Sequence, residues 1–254
     1  MINYFDSQSA AERYASGRPF FHPQVIRRIK IHLRLKSSVE HAIDVGCGTG
    51  LSTIALLDIA NKITGTDISA EMLAVATPNP RITYLVAPAE ELPFPAESAD
   101  LITVSSALHW INSEKFLGEA HRILRRKGWL IVYDNAFTGI LKENPEFQKW
   151  IGGVFLKRYP TPPRAKTSFT AQFARQAGFS YPKEEHYQNS VNFTPDQLIN
   201  YLLSQSNVIA AQQNGEETLE AIQSWLQGEV APLFKHQPGG TFLFRGTIWY
   251  LKRT

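Results

Sequence analysis

The sequence predicts an α/β fold: a mainly parallel, seven-stranded sheet with helices on both faces and a helical cover over its ligand end. Three observations lead there. Apolar strand-like runs alternate with helical patterns from His41 to Asp134, the signature of parallel strands joined by right-handed crossovers. The first of those runs ends in a glycine turn, "DVGCGTG", that passes straight into a helix pattern. After Asp134 the rhythm breaks, and two late strand patterns stand among helices. With 254 residues and 43% hydrophobic content, the chain suits one domain with a solid core. It divides at 1–36 (a helical lid), 37–134 (the α/β core), 135–238 (a helical cover with one sheet strand near 183–193) and 239–254 (the last strand).

Each element has its own signal. "PQVIRRIKIHL" places Val25, Ile26, Ile29 and Leu33 on one helical face, with Pro23 near the start. "HAIDVG" is a buried strand, and "TGLSTIALLDIA" a helix offering Leu51, Ile54, Ala55 and Ile59 to the core. "KITGTD" is the second strand, and "SAEMLAVA" a helix with Ser69 as its N-cap. "RITYLVA" and "ADLITVSS" are the third and fourth strands. In the helix that follows, Phe116, Leu117, Ala120, Ile123 and Leu124 form one stripe, and Gly128 is its stop signal after Arg125, Arg126 and Lys127. "WLIVYD" is the fifth strand. Further on, "NPEFQKWIGGVFLKRY" is helical but interrupted by Gly152 and Gly153, "PTPPRAK" is a loop and "TSFTAQFARQAG" a short helix. "EEHYQNSVNF" alternates like a strand, and "TPDQLINYLL" carries a capping box, Thr194 with Gln197. "GEETLEAIQSWLQGEV" is amphipathic, and "GGTFLFRGTIWYLKR" is a long final strand.

Composition narrows the function classes. The net charge of +3 is mild and argues against a nucleic-acid partner. The clusters "RRIK" and "RILRRK" read as solvated helix faces. A single cysteine, Cys47, allows no internal disulfide and fits a reducing cytoplasm. The first residues show no secretory pattern, and no apolar run approaches the ~20 residues of a membrane span.

The glycine turn decides the cofactor chemistry. Such a turn between strand and helix lets backbone amides approach an anionic group. The dinucleotide pattern needs glycines spaced G-x-G-x-x-G, whereas here they are Gly46, Gly48 and Gly50, followed by Leu51. A phosphate loop would also need a Lys-Ser/Thr pair, which is absent.

In "AIDVGCGTG" the chain resembles the first motif of class I S-adenosylmethionine-dependent methyltransferases. The likeness continues in order through "TGTDIS", "APAEELPFP", "ADLITVSSALHWI" and "EAHRILRRKGWLIVYD", and "ERYASGRPFFHP" is similar to the N-terminal segment of small-molecule, type 11-like members. The resemblance implies a Rossmann-like sheet, S-adenosylmethionine as methyl donor with S-adenosylhomocysteine as product, and no metal. It also implies site residues. Gly46, Cys47, Gly48, Thr49 and Gly50 form the loop against the amino-acid end and ribose edge, and Asp44 braces that loop or meets the ligand's ammonium, directly or through water. Asp67, 21 positions after Gly46, accepts from the ribose hydroxyls. Ile68 and Met72 flank the adenine, and Ala89 and Glu90 reach its edge. Many relatives carry Asp where this chain has Pro88, and proline offers neither a carboxylate nor an N–H. Tyr14 and Arg18 close over the methionine carboxylate, and the Ser105 carbonyl, at the mouth of the sheet beside Ser106, meets the ammonium.

Methyl transfer is an in-line displacement in which alignment in a dry pocket dominates, and a base is needed only when the acceptor must lose a proton. His109 is the candidate base. His109, Trp110, His22 and Tyr133 are candidate acceptor contacts, though each also fits structural packing. The late helices offer Trp150, Phe155, Tyr159, Phe169, Phe173 and Tyr201 as an aromatic cavity for a small organic acceptor. An RNA methyltransferase and a non-catalytic binding or partner protein of the same fold are the alternatives; a nicotinamide enzyme is disfavoured by the glycine spacing.

Overall fold

The structure, a computed structural model, describes residues 4–163 and 170–254. Its strands are β1 (Val39–Val45), β2 (Ala60–Asp67), β3 (Ile82–Val86), β4 (Ala99–Ser105), β5 (Leu124–Tyr133), β6 (Ala136–Leu141), β7 (Phe179–Phe193) and β8 (Gly240–Arg253). Strands β1 to β5 are parallel in the order 3-2-1-4-5, and β8 pairs antiparallel with β5. The order reverses at β1 and β4, so their carboxyl ends open a crevice where ligands of such sheets bind.

Among the described residues the sheet holds eight strands where the sequence predicts seven. The additional one, β6, lies along β8 in line with β5: Tyr133 pairs with Ile248, and Ala136 with Arg245. β7 occupies the other edge of β8 over almost its whole length, from Phe179–Arg253 to Phe193–Gly240. It therefore begins earlier than the strand expected near 183–193. β6 escapes a sequence reading because its pairing slips between Phe137 and Ile140, which breaks the strand alternation.

The helices are α1 (Gln8–Gly17), α2 (His22–His32), α3 (Leu51–Ala55), α4 (Ala70–Ala74), α5 (Ser113–Ile123), α6 (Glu146–Trp150), α7 (Leu156–Arg158), α8 (Ala171–Gln176), α9 (Pro195–Leu203), α10 (Ser206–Gln213) and α11 (Leu219–Leu233). α2 and α3 cover one face of the sheet and α5 the other. In α5 the predicted stripe Phe116, Leu117, Ala120 and Ile123 is fully buried against Ile43, Ile102 and Leu130. Phe116, Leu117 and Ile123 each contribute about 1.5–3 kcal/mol. α5 starts on the Asn112 cap and stops at Ile123, earlier than Gly128 signals. Arg125, Arg126 and Lys127 belong instead to an irregular opening of β5, where Lys127 has φ +67° and the pairing jumps from Ala99–Leu124 to Leu101–Trp129.

The α3 segment is shorter than its pattern suggests and turns 3₁₀ at Leu56–Asp58. It buries Ser52 and Thr53 and leaves Leu51 and Ile54 half-exposed, because the polar pair serves a buried carboxylate described below. In the cover, Gly152 and Gly153 fall in a π-helical stretch, Ile151–Phe155, that joins α6 to α7. The Thr194–Gln197 capping box opens α9 with both reciprocal hydrogen bonds. Trp150, Tyr159, Tyr201, Leu226 and Phe242 belong to the cover's own core. α1 packs on α9, and its Gly17 lies so close that a Cβ there would stand 2.4 Å from the Asn200 carbonyl.

Candidate active site

The carboxyl ends of β1, β2, β4 and β5, the N-terminal segment and the cover enclose a cavity of about 700 Å³. That volume lies in the range of small-molecule sites, ~300–1,000 Å³.

The glycine loop is built for backbone display. Gly46, Gly48 and Gly50 have φ of +64°, +53° and +80°. Gly46 and Gly48 line the cavity. At Gly46 a Cβ would come within 2.6 Å of the Ala107 Cβ, so the turn must be bare for the β4 loop to approach. Gly50 does not line the cavity. It caps α3, and a Cβ there would meet Tyr84 Oη at 2.4 Å, so its role is packing against β3. Cys47 and Thr49 are buried behind the loop and do not line the cavity either. Burial pushes the Cys47 thiol well up, with the charges of Asp44 and Asp67 adding to it.

Asp44 is fully buried and does not reach the cavity. Its Oδ2 accepts from Ser52 Oγ at 2.6 Å and Thr53 Oγ1 at 2.7 Å, and its Oδ1 from Thr103 Oγ1 at 2.7 Å. Of the roles that the sequence leaves open, these three hydrogen bonds are those of a brace for the loop. Burial raises its pKa, and the three hydroxyls oppose that rise.

Asp67 stands at the end of β2 and faces the cavity. Its Oδ2 accepts from the Gly48 amide at 2.8 Å and its Oδ1 from the Ser69 amide at 2.9 Å. Burial raises its pKa, while the amides of Ser69, Gly48 and Ile68 favour the charged form. Each carboxylate oxygen keeps acceptor capacity beyond one amide, as two hydroxyl donors would use. Beside it Ile68 is 62% exposed although apolar, and Met72 is buried with its Cε facing Gly48.

Pro88, Ala89 and Glu90 line the same end of the cavity. The Glu90 carboxylate accepts from the Asn112 amide at 2.6 Å, so it ties the α5 cap to this loop. From the N-terminal segment Tyr14 and Arg18 reach the cavity, with the Arg18 guanidinium 4.6 Å from the Tyr14 ring and 5.3 Å from the Tyr201 ring. Arg18 Nη2 donates to the Ser204 carbonyl at 2.7 Å, and Nε is buried without a partner among the described residues. Ser105 and Ser106 lie at the sheet end of the cavity, and Ser106 holds a left-handed φ of +52°.

His109 and Trp110 both line the cavity, half-buried, with ring centroids 4.9 Å apart. His22 and Tyr133 do not. They form a buried pair, Nδ1 to Oη at 3.0 Å, on the α2 side of the sheet. Burial pushes the His22 pKa down to about 3 and the Tyr133 phenol well up, so neither exchanges protons near neutrality. Their expected place among the acceptor contacts is thereby corrected: α2 carries His22 into the sheet core, away from the cavity. Of the aromatics expected there, Phe155 and Tyr201 line the cavity, Trp150 and Tyr159 pack inside the cover, and Phe173 packs on the α5 face. Phe169 lies outside the described residues.

The structure adds residues that the sequence reading did not nominate. Tyr4 and Phe5 cover the cavity, Tyr4 against Trp110 at 5.9 Å and Phe5 against Tyr14 at 5.5 Å, with no sequence signal for either. Asp134, Asn135 and Phe137 line it just after β5. Asp134 had a legible signal, a carboxylate at the carboxyl end of a parallel strand. Among the described residues no cluster of three His, Cys, Asp or Glu could hold a metal ion, and no helix is long and apolar enough to cross a membrane.

Comparison with known proteins agrees with this geometry. Residues 43–132 match the family described as Methyltransferase domain. A Dictyostelium discoideum protein named as a methyltransferase is 32% identical over 136 residues, 54% of this chain and 51% of that one, so the match spans about half of that relative. A Mycobacterium tuberculosis protein, named an uncharacterized methyltransferase, is 27% identical over 223 residues, 86% of this chain and 84% of its own length. A solved type II methyltransferase structure from Anaeromyxobacter dehalogenans has the same fold, with a TM-score of 0.69 at 21% identity, covering 93% of this chain and 97% of that one. Residues 43–132 thus match a methyltransferase domain, and the chain shares the fold of a solved methyltransferase structure.

Proposed function

We propose that this protein, a single methyltransferase domain with an N-terminal lid and a helical cover, methylates a small organic molecule in the cavity described above. The carrying observation is the coupling of the Gly48 amide to Asp67 at the cavity wall. The residues there fit S-adenosylmethionine: bare backbone at Gly46 and Gly48, a carboxylate with acceptor capacity for a diol, and an apolar Ile68 side chain whose exposure a flat adenine would relieve. Asp67 would hold the ribose, Ile68 and Met72 the adenine, the Ala89 and Glu90 backbone its edge, Arg18 with Tyr14 the methionine carboxylate, and the Ser105 carbonyl its ammonium. When bound, the sulfonium supplies an electrophilic methyl group.

The chain supplies alignment and dryness. Tyr4, Phe5, Tyr14, Trp110, Phe137, Phe155 and Tyr201 all line the cavity and supply aromatic surface against which an acceptor can be aligned. His109 faces that cavity and is the residue placed to take a proton from an acceptor that carries one. Its enclosure by the cover and the mild net charge support a small molecule over RNA. Calorimetric titration with S-adenosylhomocysteine tests the reading: micromolar binding is the expected result, and no heat of binding would overturn it. Tight, salt-dependent binding of single-stranded RNA would replace the small-molecule assignment by a nucleic-acid one.

A further inference from the structure

We propose that the acceptor is an amine and that Asp134 is the residue that selects it. This rests on the reading of the cavity as a methyl-transfer site. β5 pairs Tyr133 with Ser105 of β4, so Asp134, one residue on, stands one strand away from the expected seat of the cofactor's amino-acid end. Its backbone is fixed twice: its amide donates to the Thr247 carbonyl at 3.1 Å and its carbonyl accepts from Tyr187 Oη at 2.7 Å. Its carboxylate is fixed once, Oδ1 accepting from the Thr247 amide at 2.8 Å. Oδ2 has no donor among the described residues. The adjoining Asn135 also lines the cavity, and its Oδ1 is buried without a partner among the described residues.

The cavity wall here therefore carries a carboxylate oxygen without a protein donor, and beside it a buried amide oxygen that also has none among the described residues. An unpartnered carboxylate oxygen at a cavity wall favours an occupant that brings donors, and the buried Asn135 oxygen adds to that demand. A hydroxyl brings one N–H or O–H equivalent; an ammonium brings up to three and a matching charge. Phe137 and Tyr201 border the same region, and aromatic faces favour a cation. Arg18, whose guanidinium lies against Tyr14 and Tyr201 and donates to the Ser204 carbonyl, makes no ion pair with Asp134. His186 is the titratable group that acts on the Asp134 carboxylate through space.

The step balances with these groups. An amine that arrives as its ammonium gives one proton to Asp134 Oδ2. The freed nitrogen lone pair forms the N–C bond to the methyl carbon, the C–S electron pair returns to sulfur, and the product leaves as an N-methylammonium with a neutral thioether beside it. The proton on Asp134 passes to solvent when the cavity opens.

The test uses three probes of one shape, phenethylamine, 2-phenylethanol and phenylacetate, titrated into the full chain saturated with S-adenosylhomocysteine. The amine is expected to bind at least tenfold more tightly than the alcohol, and phenylacetate most weakly. Asp134→Asn is expected to erase the amine's advantage and Asn135→Ala to reduce it several-fold, both with S-adenosylhomocysteine affinity unchanged. With S-adenosylmethionine, mass spectrometry is expected to show N-methylphenethylamine. Alcohol or carboxylate binding as tightly as amine, no amine binding at all, or an Asp134→Asn protein that keeps the preference would each overturn the proposal. The wild-type comparison decides even if a variant does not fold. Failure of S-adenosylhomocysteine itself to bind is read in the preceding saturation step and strikes the methyl-transfer reading instead.

Discussion

The Gly48 amide and the Asp67 carboxylate hold each other at 2.8 Å, so the glycine loop and the tip of β2 act as one unit. Removing the carboxylate loosens the loop and deletes the expected ribose contacts together. A hydrogen bond to a charged group is worth about 1.5–3 kcal/mol. Asp67→Ala is therefore expected to weaken S-adenosylhomocysteine about 10- to 100-fold by calorimetry. An unchanged dissociation constant would remove Asp67 from the site.

Asp44 supports that unit from below through Ser52, Thr53 and Thr103. In Asp44→Ala three hydroxyls lose their acceptor inside the core. The expected loss is about 3 kcal/mol of stability in denaturant unfolding, with cofactor affinity falling as a secondary effect. Asp44→Asn, which keeps the volume and one acceptor oxygen, is expected to lose less. A wild-type midpoint in the alanine variant would show that the loop needs no brace.

His22 sets a pH limit on folding. The buried imidazole titrates near 3 and the unfolded one near 6.5, so between those values the unfolded chain holds the extra proton. Stability thus falls as pH drops from 6.5 towards 3. At about 1.36 kcal/mol per pH unit, going from pH 6.5 to pH 5 removes about 2 kcal/mol through this residue. Urea unfolding of wild type and His22→Gln at pH 7 and pH 5 checks it: wild type is expected to lose about 2 kcal/mol more than the variant. Equal losses would mean that His22 charges without unfolding.

Arg18 offers a sharper dissection of the cofactor. S-adenosylhomocysteine carries a carboxylate, and 5′-methylthioadenosine keeps the nucleoside without it. Arg18→Gln is expected to weaken the first about tenfold or more, the scale of one charge-assisted hydrogen bond, and leave the second unchanged. Equal weakening of both would assign Arg18 to holding α1 on α9 through Ser204 instead.

Much of this was legible in the residues because local signals and tertiary demands agreed. The α5 stripe, the Thr194 cap and strands β1 to β5 follow from periodicity alone. The sequence reading failed where a residue's partner is remote. Ser52 and Thr53 turn inward because Asp44 waits beneath them, and Gly50 must be bare because Tyr84 lies against it. His22 looked like a site residue until α2 carried it to Tyr133. The cavity wall around Gly48 and Asp67 was readable because it sits on strand tips in fixed order. The opposite wall was not, because Phe137, Phe155 and Tyr201 meet only through the cover.

One hydroxyl links two events that would otherwise be separate. Ser69 Oγ accepts from the Met72 amide at the start of α4 and donates to the Phe5 carbonyl at 2.7 Å, while Gln213 reaches the Tyr4 carbonyl from α10. Opening the cavity on this side therefore requires the Tyr4–Phe5 segment to leave α4 and α10 together, and weakening those fastenings is expected to speed dissociation of S-adenosylhomocysteine.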